Sequence, residues 1–172
     1  MHRTAKPMRR RPAVLLVQRS RDDGLEMYTE FLRYHGLAVI PVSDSSDALM
    51  LAPQADIVVT GMTLDDPISG VELISRLRHA DCTRSTPIIV LTACASPTDR
   101  TRAEGAGCDV YLLKPCLPSD LLHEMWQLLT ATHSQAAVTP HVFQRPSSQP
   151  AVRHAPRWPA AHRLRRPVAR PS

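Results

Sequence analysis

Asp56-Ile-Val-Val-Thr-Gly61, leading into Met62-Thr-Leu-Asp-Asp-Pro-Ile-Ser-Gly70, decides the fold. Asp56 to Thr60 reads as the third strand, and the apolar, β-branched run after Asp56 marks it as short and covered on both faces. Working outward, Ala13-Val-Leu-Leu-Val17 and Pro87-Ile-Ile-Val-Leu91 have the same character. Leu37-Ala-Val-Ile-Pro-Val42 and Val110 to Leu113 complete a set of five. Pro41 places the second of these strands at a sheet edge, because proline cannot donate to a ladder.

Helical periodicity fills the gaps. Asp22 and Asp23 offer a cap to a helix carrying Leu25, Tyr28 and Leu32, with Met27 and Phe31 alongside, that stops at Gly36. Ser46 to Leu51 reads as a short helix ended by Pro53. Val71, Leu73, Ile74 and Leu77 mark an amphipathic helix with Glu72, Arg76 and Arg78 turned to water. Pro97 to Ala106 has a thin apolar face and contains Gly105, which predicts the least stable helix of the domain. Pro118 opens the last helix, whose stripe is Leu121, Leu122, Met125, Leu128 and Leu129. Five strands alternating with five helices imply an α/β fold built on a doubly wound parallel sheet. Ligands bind such sheets at the carboxyl ends of the strands.

The overall charge of +5 hides three regions. Residues 1–11 carry five basic side chains and no acid. Residues 12–124 hold all 16 acids against nine bases, and residues 125–172 carry seven arginines and no acid. The chain therefore divides into a basic N-terminus over 1–11, an acidic domain over 12–131, and a Pro/Arg-rich tail over 132–172 whose composition predicts disorder at both ends. Cys82, Cys94, Cys108 and Cys116 form no C-x-x-C pair, which argues against a zinc site and for free thiols in a reducing cytoplasm. No apolar run is long enough for a membrane span.

Three blocks carry a family resemblance. Pro87-Ile-Ile-Val-Leu-Thr92-Ala93, Ala106-Gly-Cys-Asp-Val-Tyr111-Leu-Leu-Lys114-Pro115 and Ser69-Gly70-Val-Glu-Leu73 resemble the fourth strand, fifth-strand signature and third-helix start of the receiver domain of bacterial two-component response regulators. The resemblance covers roughly residues 12 to 131. It implies a flavodoxin-like five-stranded sheet in the order 2-1-3-4-5. It also implies a Mg²⁺ ion held by an acidic pair after the first strand, and an aspartate at the end of the third strand that accepts phosphate. A threonine and a lysine would then bind the phosphoryl group.

The chain departs from this pattern at the carboxylates. The acidic pair falls on Gln18 and Arg19, and the phosphoacceptor position falls on Gly61, whereas Thr92, Tyr111, Lys114 and Pro115 are retained. Thr60 is adjacent, but strand alternation points it away from the pocket. Asp65, Asp22 and Asp23 are the acids that could substitute. Arg19, Lys114 and Thr92 could form a small anion site; alternatively Lys114 pairs with Asp22, Asp65 or Asp66 and Arg19 is solvated. His35, His79 and His123 read as surface residues.

The expectation is a pseudo-receiver: no enzyme, not phosphorylated, its Mg²⁺ site lost, acting by protein–protein contact in the cytoplasm. Its contact face would be the fourth helix, fifth strand and fifth helix, meeting a signalling partner or a second copy. Two alternatives are a phosphorylation-dependent regulator using a substitute acid, and a nucleic-acid-associated protein. The latter would act through the tail's Arg145, Arg153, Arg157, Arg163, Arg165, Arg166 and Arg170 with Trp158. The same tail could bind an acidic protein surface.

Overall fold

The computed structural model describes residues 10–22 and 24–136. The elements alternate along the chain as β1 (Ala13–Val17), α1 (Gly24–Tyr34), β2 (Ala38–Val42), α2 (Ser45–Leu51), β3 (Ile57–Thr60), α3 (Gly70–His79), β4 (Ile88–Thr92), α4 (Pro97–Ala106), β5 (Val110–Leu113) and α5 (Pro118–Ala136). All pairings are parallel and the sheet order is β2-β1-β3-β4-β5, as the resemblance implies. Pro41 lies on the edge strand β2, where its missing donor costs no ladder bond. Asp23, residues 1–9 and the tail from 137 onward lie outside the described residues, and with them the readings made of those segments.

Strand alternation divides the core in two. Val14, Leu16, Ile57, Val59, Ile89 and Leu91 point to one face, where Tyr28 and Leu32 of α1 and Leu121, Met125 and Leu129 of α5 cover them. Leu15, Val17, Val58, Ile88 and Val90 point to the other, beneath Ala48 of α2, Leu73, Ile74 and Leu77 of α3, and Ala103 of α4. Each fully buried aliphatic side chain contributes about 1.5–3 kcal/mol of transfer free energy. By that measure α4 is anchored least, since Ala103 is its one buried residue. No helix among the described residues is long and apolar enough to cross a membrane.

Three details differ from the sequence reading. Arg78 does not face water: its side chain is 19% exposed. Its guanidinium donates to the carbonyls of Gly107 (2.9 Å), Thr86 (2.7 Å) and Arg84 (3.2 Å) and pairs with Asp109 at 2.8 Å. A long stem with five donors can lie flat across a surface and tie the end of α3 to the loops before β4 and β5. Second, α5 runs to Ala136, past residue 131. Residues 130–136 show no apolar stripe, but an established helix extends by one hydrogen bond per added residue. Thr130 and Thr132 bond back to the carbonyls of Trp126 and Leu128 at 2.8 and 3.0 Å. Third, Asp56 precedes β3 and serves the sheet floor, accepting from the Ala13 amide at 2.7 Å and pairing with Arg10 at 2.8 Å.

Gly70 holds the β3–α3 loop closed. Its amide donates to the Met62 carbonyl at 2.9 Å, and a Cβ placed there would stand 1.9 Å from the Gly61 carbonyl oxygen. Ser69 caps the helix that follows, accepting from the Glu72 amide at 3.3 Å. We expect Gly70→Ala to lower the unfolding free energy by about 3 kcal/mol or more. Gly105→Ala, in α4 where a Cβ meets nothing within 4 Å, should raise it by up to about 1 kcal/mol. Urea denaturation of both variants checks the pair.

Candidate functional site

The sheet's carboxyl edge brings four of the sequence-selected positions together. Register pairs Val17 with Thr60 and Thr60 with Val90, so Gln18, Gly61 and Leu91 follow side by side on β1, β3 and β4. The amide of Gly61 donates to the Val17 carbonyl at 2.9 Å, and that of Lys114 donates to the Thr92 carbonyl at 2.8 Å. Lys114 is therefore fixed just beyond β5, next to the end of β4, and the bond to Pro115 is cis.

Gln18 occupies the centre of this edge and is 3% exposed. Its Nε2 donates to the Leu91 carbonyl at 3.1 Å and its Oε1 accepts from Lys114 Nζ at 3.1 Å. The side chain starts on β1 and ends on β4, so it passes over the intervening β3 at Gly61. A Cβ at position 61 would lie 3.2 Å from Gln18 Oε1 and 3.4 Å from the Thr63 carbonyl. The glycine leaves the space through which the amide crosses, and both polar ends of that amide are satisfied, as a buried amide requires.

Lys114 has a second partner. It forms an ion pair and hydrogen bond with Asp22, which also accepts from the Gly24 amide at 3.0 Å and so caps α1. The ammonium stands 5.8 Å from the centre of the Tyr28 ring. The Tyr28 hydroxyl donates to the Cys116 carbonyl at 2.7 Å, and burial pushes its pKa up. One cation thus joins the start of α1, the end of β1 and the turn after β5.

Arg19 points elsewhere. It is paired with Asp65 at 3.5 Å, while the Ser20 amide donates to the same carboxylate at 2.7 Å. These hydrogen bonds, those from Ser20 foremost, hold Asp65 below the ordinary carboxylate range. The anion site imagined from Arg19, Lys114 and Thr92 is not assembled, because each cation faces its own carboxylate. Asp66 accepts from the amide of Ser45 at 3.1 Å and from its hydroxyl, and its buried Oδ1 has no hydrogen-bond partner among the described residues.

Thr92 and Tyr111 form a separate unit at the head of α4. Thr92 Oγ1 accepts from the Cys94 amide at 3.1 Å, and the Tyr111 hydroxyl donates to the Cys94 carbonyl at 2.8 Å. The Cys94 thiol donates to Asp99 at 2.7 Å, and Arg100 lies 5.9 Å from the centre of the Tyr111 ring. Burial raises the Tyr111 pKa. Thr60 turns from the pocket and donates to the Gly61 carbonyl at 3.1 Å. His35, His79 and His123 are exposed, as read.

Sequence reasoning missed Tyr28, which carries no signal beyond its place on a core stripe, and the backbone carbonyls of Leu91, Cys94 and Cys116, which no side-chain pattern reveals. Among the described residues no group of three or more His, Cys, Asp or Glu is placed to hold a metal ion.

The geometry matches a known domain. A family model, "Response regulator receiver domain", matches residues 14–125. The transcriptional regulatory protein HprR of Escherichia coli K12 is 34% identical over 110 residues, covering 63% of this chain and 48% of that protein. PrrA of Mycobacterium tuberculosis H37Rv is 32% identical over 135 residues, covering 74% of this chain and 56% of that protein. The chain thus spans about half the length of these curated relatives. Among solved structures, the receiver domain of sensor histidine kinase PA1611 from Pseudomonas aeruginosa PAO1 superposes with a TM-score of 0.64 at 26% identity. That match covers 70% of this chain and 99% of that one, and PA1611 holds a magnesium ion in its active-site cleft. On the family match and these relatives, the chain belongs to the response regulator receiver domain family, the signalling domain of two-component response regulators.

Proposed function

We propose that this receiver domain signals without accepting phosphate and works by protein–protein contact. The observation that carries the reading is the Gln18 amide, which spans the edge from β1 to β4 over Gly61 and bonds Lys114. A nucleophilic carboxylate at position 61 would need the volume that this amide fills. Lys114, the group that would meet an incoming phosphoryl oxygen, already has Asp22 and Gln18 as partners.

The donor set also fails to fit Mg²⁺. That ion takes hard oxygen ligands in a near-octahedral shell and is usually held through one or two carboxylates. The edge offers one amide oxygen already hydrogen-bonded to an ammonium, and the nearest carboxylate, Asp22, is neutralised by that same ammonium. Asp65 is engaged by Ser20 and Arg19. A divalent cation placed there would meet Lys114 with like charge and would have to displace it.

The contact face we assign is α4, β5 and α5. β5 ends the sheet, and Leu113 and Leu117 are exposed beside it. Tyr111 grips the Cys94 carbonyl at the head of α4, which has little core of its own to hold its position. This arrangement leaves a helix whose placement a partner can set.

Four outcomes are expected. Incubation with acetyl phosphate and Mg²⁺ should leave the intact mass unchanged; gain of one phosphoryl group would mean that a substitute acid works. Single Gly61→Asp should lower stability by about 1–3 kcal/mol, because its Cβ crowds Gln18. The triple variant Gln18→Asp, Arg19→Asp, Gly61→Asp should bind Mg²⁺ by calorimetry where the natural chain does not. Finally, a partner captured from native extract should be lost with Leu113→Arg and retained with Tyr34→Arg. Indifference to Leu113 would remove the assigned face.

A further inference from the structure

The two edges of the sheet differ in charge. Among the described residues, the loops that leave the strands at the carboxyl edge hold Asp22, Asp44, Asp65 and Asp66, and Asp47 and Asp120 follow in the first turns of α2 and α5. The loops that enter the strands at the amino edge hold three acids, each paired with an arginine: Asp56 with Arg10 at 2.8 Å, Asp81 with Arg84 at 3.3 Å and Asp109 with Arg78 at 2.8 Å. Glu104, in the last turn of α4, pairs with Arg100 at 2.8 Å. The acid excess of the domain is thus weighted toward the carboxyl edge. The amino edge is also where the basic flanking segments join the domain. β1 begins there, with Arg10 on Asp56 and the Pro12 carbonyl accepting from the Ala38 amide at 2.9 Å. Ala131 and Thr132 of α5 line a cleft with Pro87 and Asp109, which precede β4 and β5, so α5 carries the chain to the same edge. By sequence, residues 1–11 carry five bases and residues 125–172 seven arginines, with no acid in either.

We propose that the chain binds nucleic acid without reading its sequence. The arginines from Arg145 to Arg170 hold the phosphate backbone, the bases before β1 add to the grip, and the amino edge of the domain faces the polyanion. Three features choose nucleic acid over other anions. Every base from 125 onward is arginine and none is lysine, and a guanidinium fork meets two phosphate oxygens at once. The arginines are strung out with Pro146, Pro150, Pro156, Pro159 and Pro167 among them. That pattern suits a linear repeat of charge and is incompatible with the continuous amphipathic helix by which a basic segment lies on a membrane surface. Trp158, beside Arg157, supplies a flat aromatic face of the kind on which bases stack. The domain's own charge pattern permits the approach. An acid surplus at the amino edge would repel phosphates brought there by the flanking arginines, and the pairing of Asp56, Asp81 and Asp109 removes it. The acidic carboxyl edge then points away from the polyanion, and the binding draws on neither that edge nor the face of α4, β5 and α5.

Fluorescence anisotropy of the full chain with labelled DNA of unrelated sequences, single-stranded and duplex, tests the proposal. All probes should bind at about 50 mM salt and lose about 10³-fold in affinity by about 200 mM, as counterion release requires. Replacing Arg163, Arg165 and Arg166 together by glutamine should lower the slope of log affinity against log salt by about 3. Replacing the same three by lysine should restore most of that slope. At low salt Arg84→Glu, at the amino edge, should weaken binding severalfold. Arg21→Glu makes the same change in net charge at the carboxyl edge and should leave affinity within about twofold. Absence of binding at low salt overturns the proposal, as does a salt slope untouched by the glutamine variant or equal weakening by Arg84→Glu and Arg21→Glu. Binding of polyglutamate or of phosphatidylserine vesicles as tightly as DNA at the same salt also overturns it, assigning the segment to acidic proteins or to membranes instead.

Discussion

The side chain of Gln18 crosses from β1 to β4 over a residue that has no side chain of its own, and the rest of the carboxyl edge is arranged around that crossing. Its Nε2 takes the Leu91 carbonyl and its Oε1 takes Lys114. Lys114 in turn reaches Asp22 and so secures the first turn of α1. Here hydrogen bonds and one ion pair internal to the chain connect the same strands. Because the groups are partly or fully removed from water, each link is worth more than its exposed equivalent, and each would be costly to leave unmade.

The two halves of the retained receiver pattern have separated. Lys114 belongs to the cluster with Gln18, Asp22 and Tyr28. Thr92 and Tyr111 belong to a second cluster that meets at Cys94 and sets the start of α4. The backbone bond from the Lys114 amide to the Thr92 carbonyl, part of the sheet ladder's extension, links them. A signal arriving at α4 thus has a route into Tyr111 that does not pass through the side chain of Lys114.

The sheet and its five helices were legible because buried parallel strands read as apolar runs and surface helices repeat at 3.6 residues. Even the edge position of β2 followed from one proline. The place of positions 18, 19 and 61 at the carboxyl edge was legible because they adjoin strands whose register is fixed. What filled their places was not legible. That Gln18 and Gly61 act as one unit depends on β3 lying between β1 and β4, a fact of three-dimensional order absent from local pattern. Arg78 shows the same limit. Its place on the helical wheel marks it as solvated, yet four acceptors from distant loops converge on it. Arg19 and Lys114, judged by charge alone, could be drawn as one anion site, and only the positions of Asp65 and Asp22 show that each is separately matched.

The contact between Gly61 and Gln18 bears on the order in which such a site can change. Placing an aspartate at 61 first sets it against the amide that already fills the space. Removing the amide first leaves the Leu91 carbonyl without its donor and takes one of two partners from Lys114. Either single step descends into a less stable protein before the second can compensate, so the two positions form a ratchet. With glutamine and glycine both in place, a mutational road to a carboxylate at this edge runs through a valley.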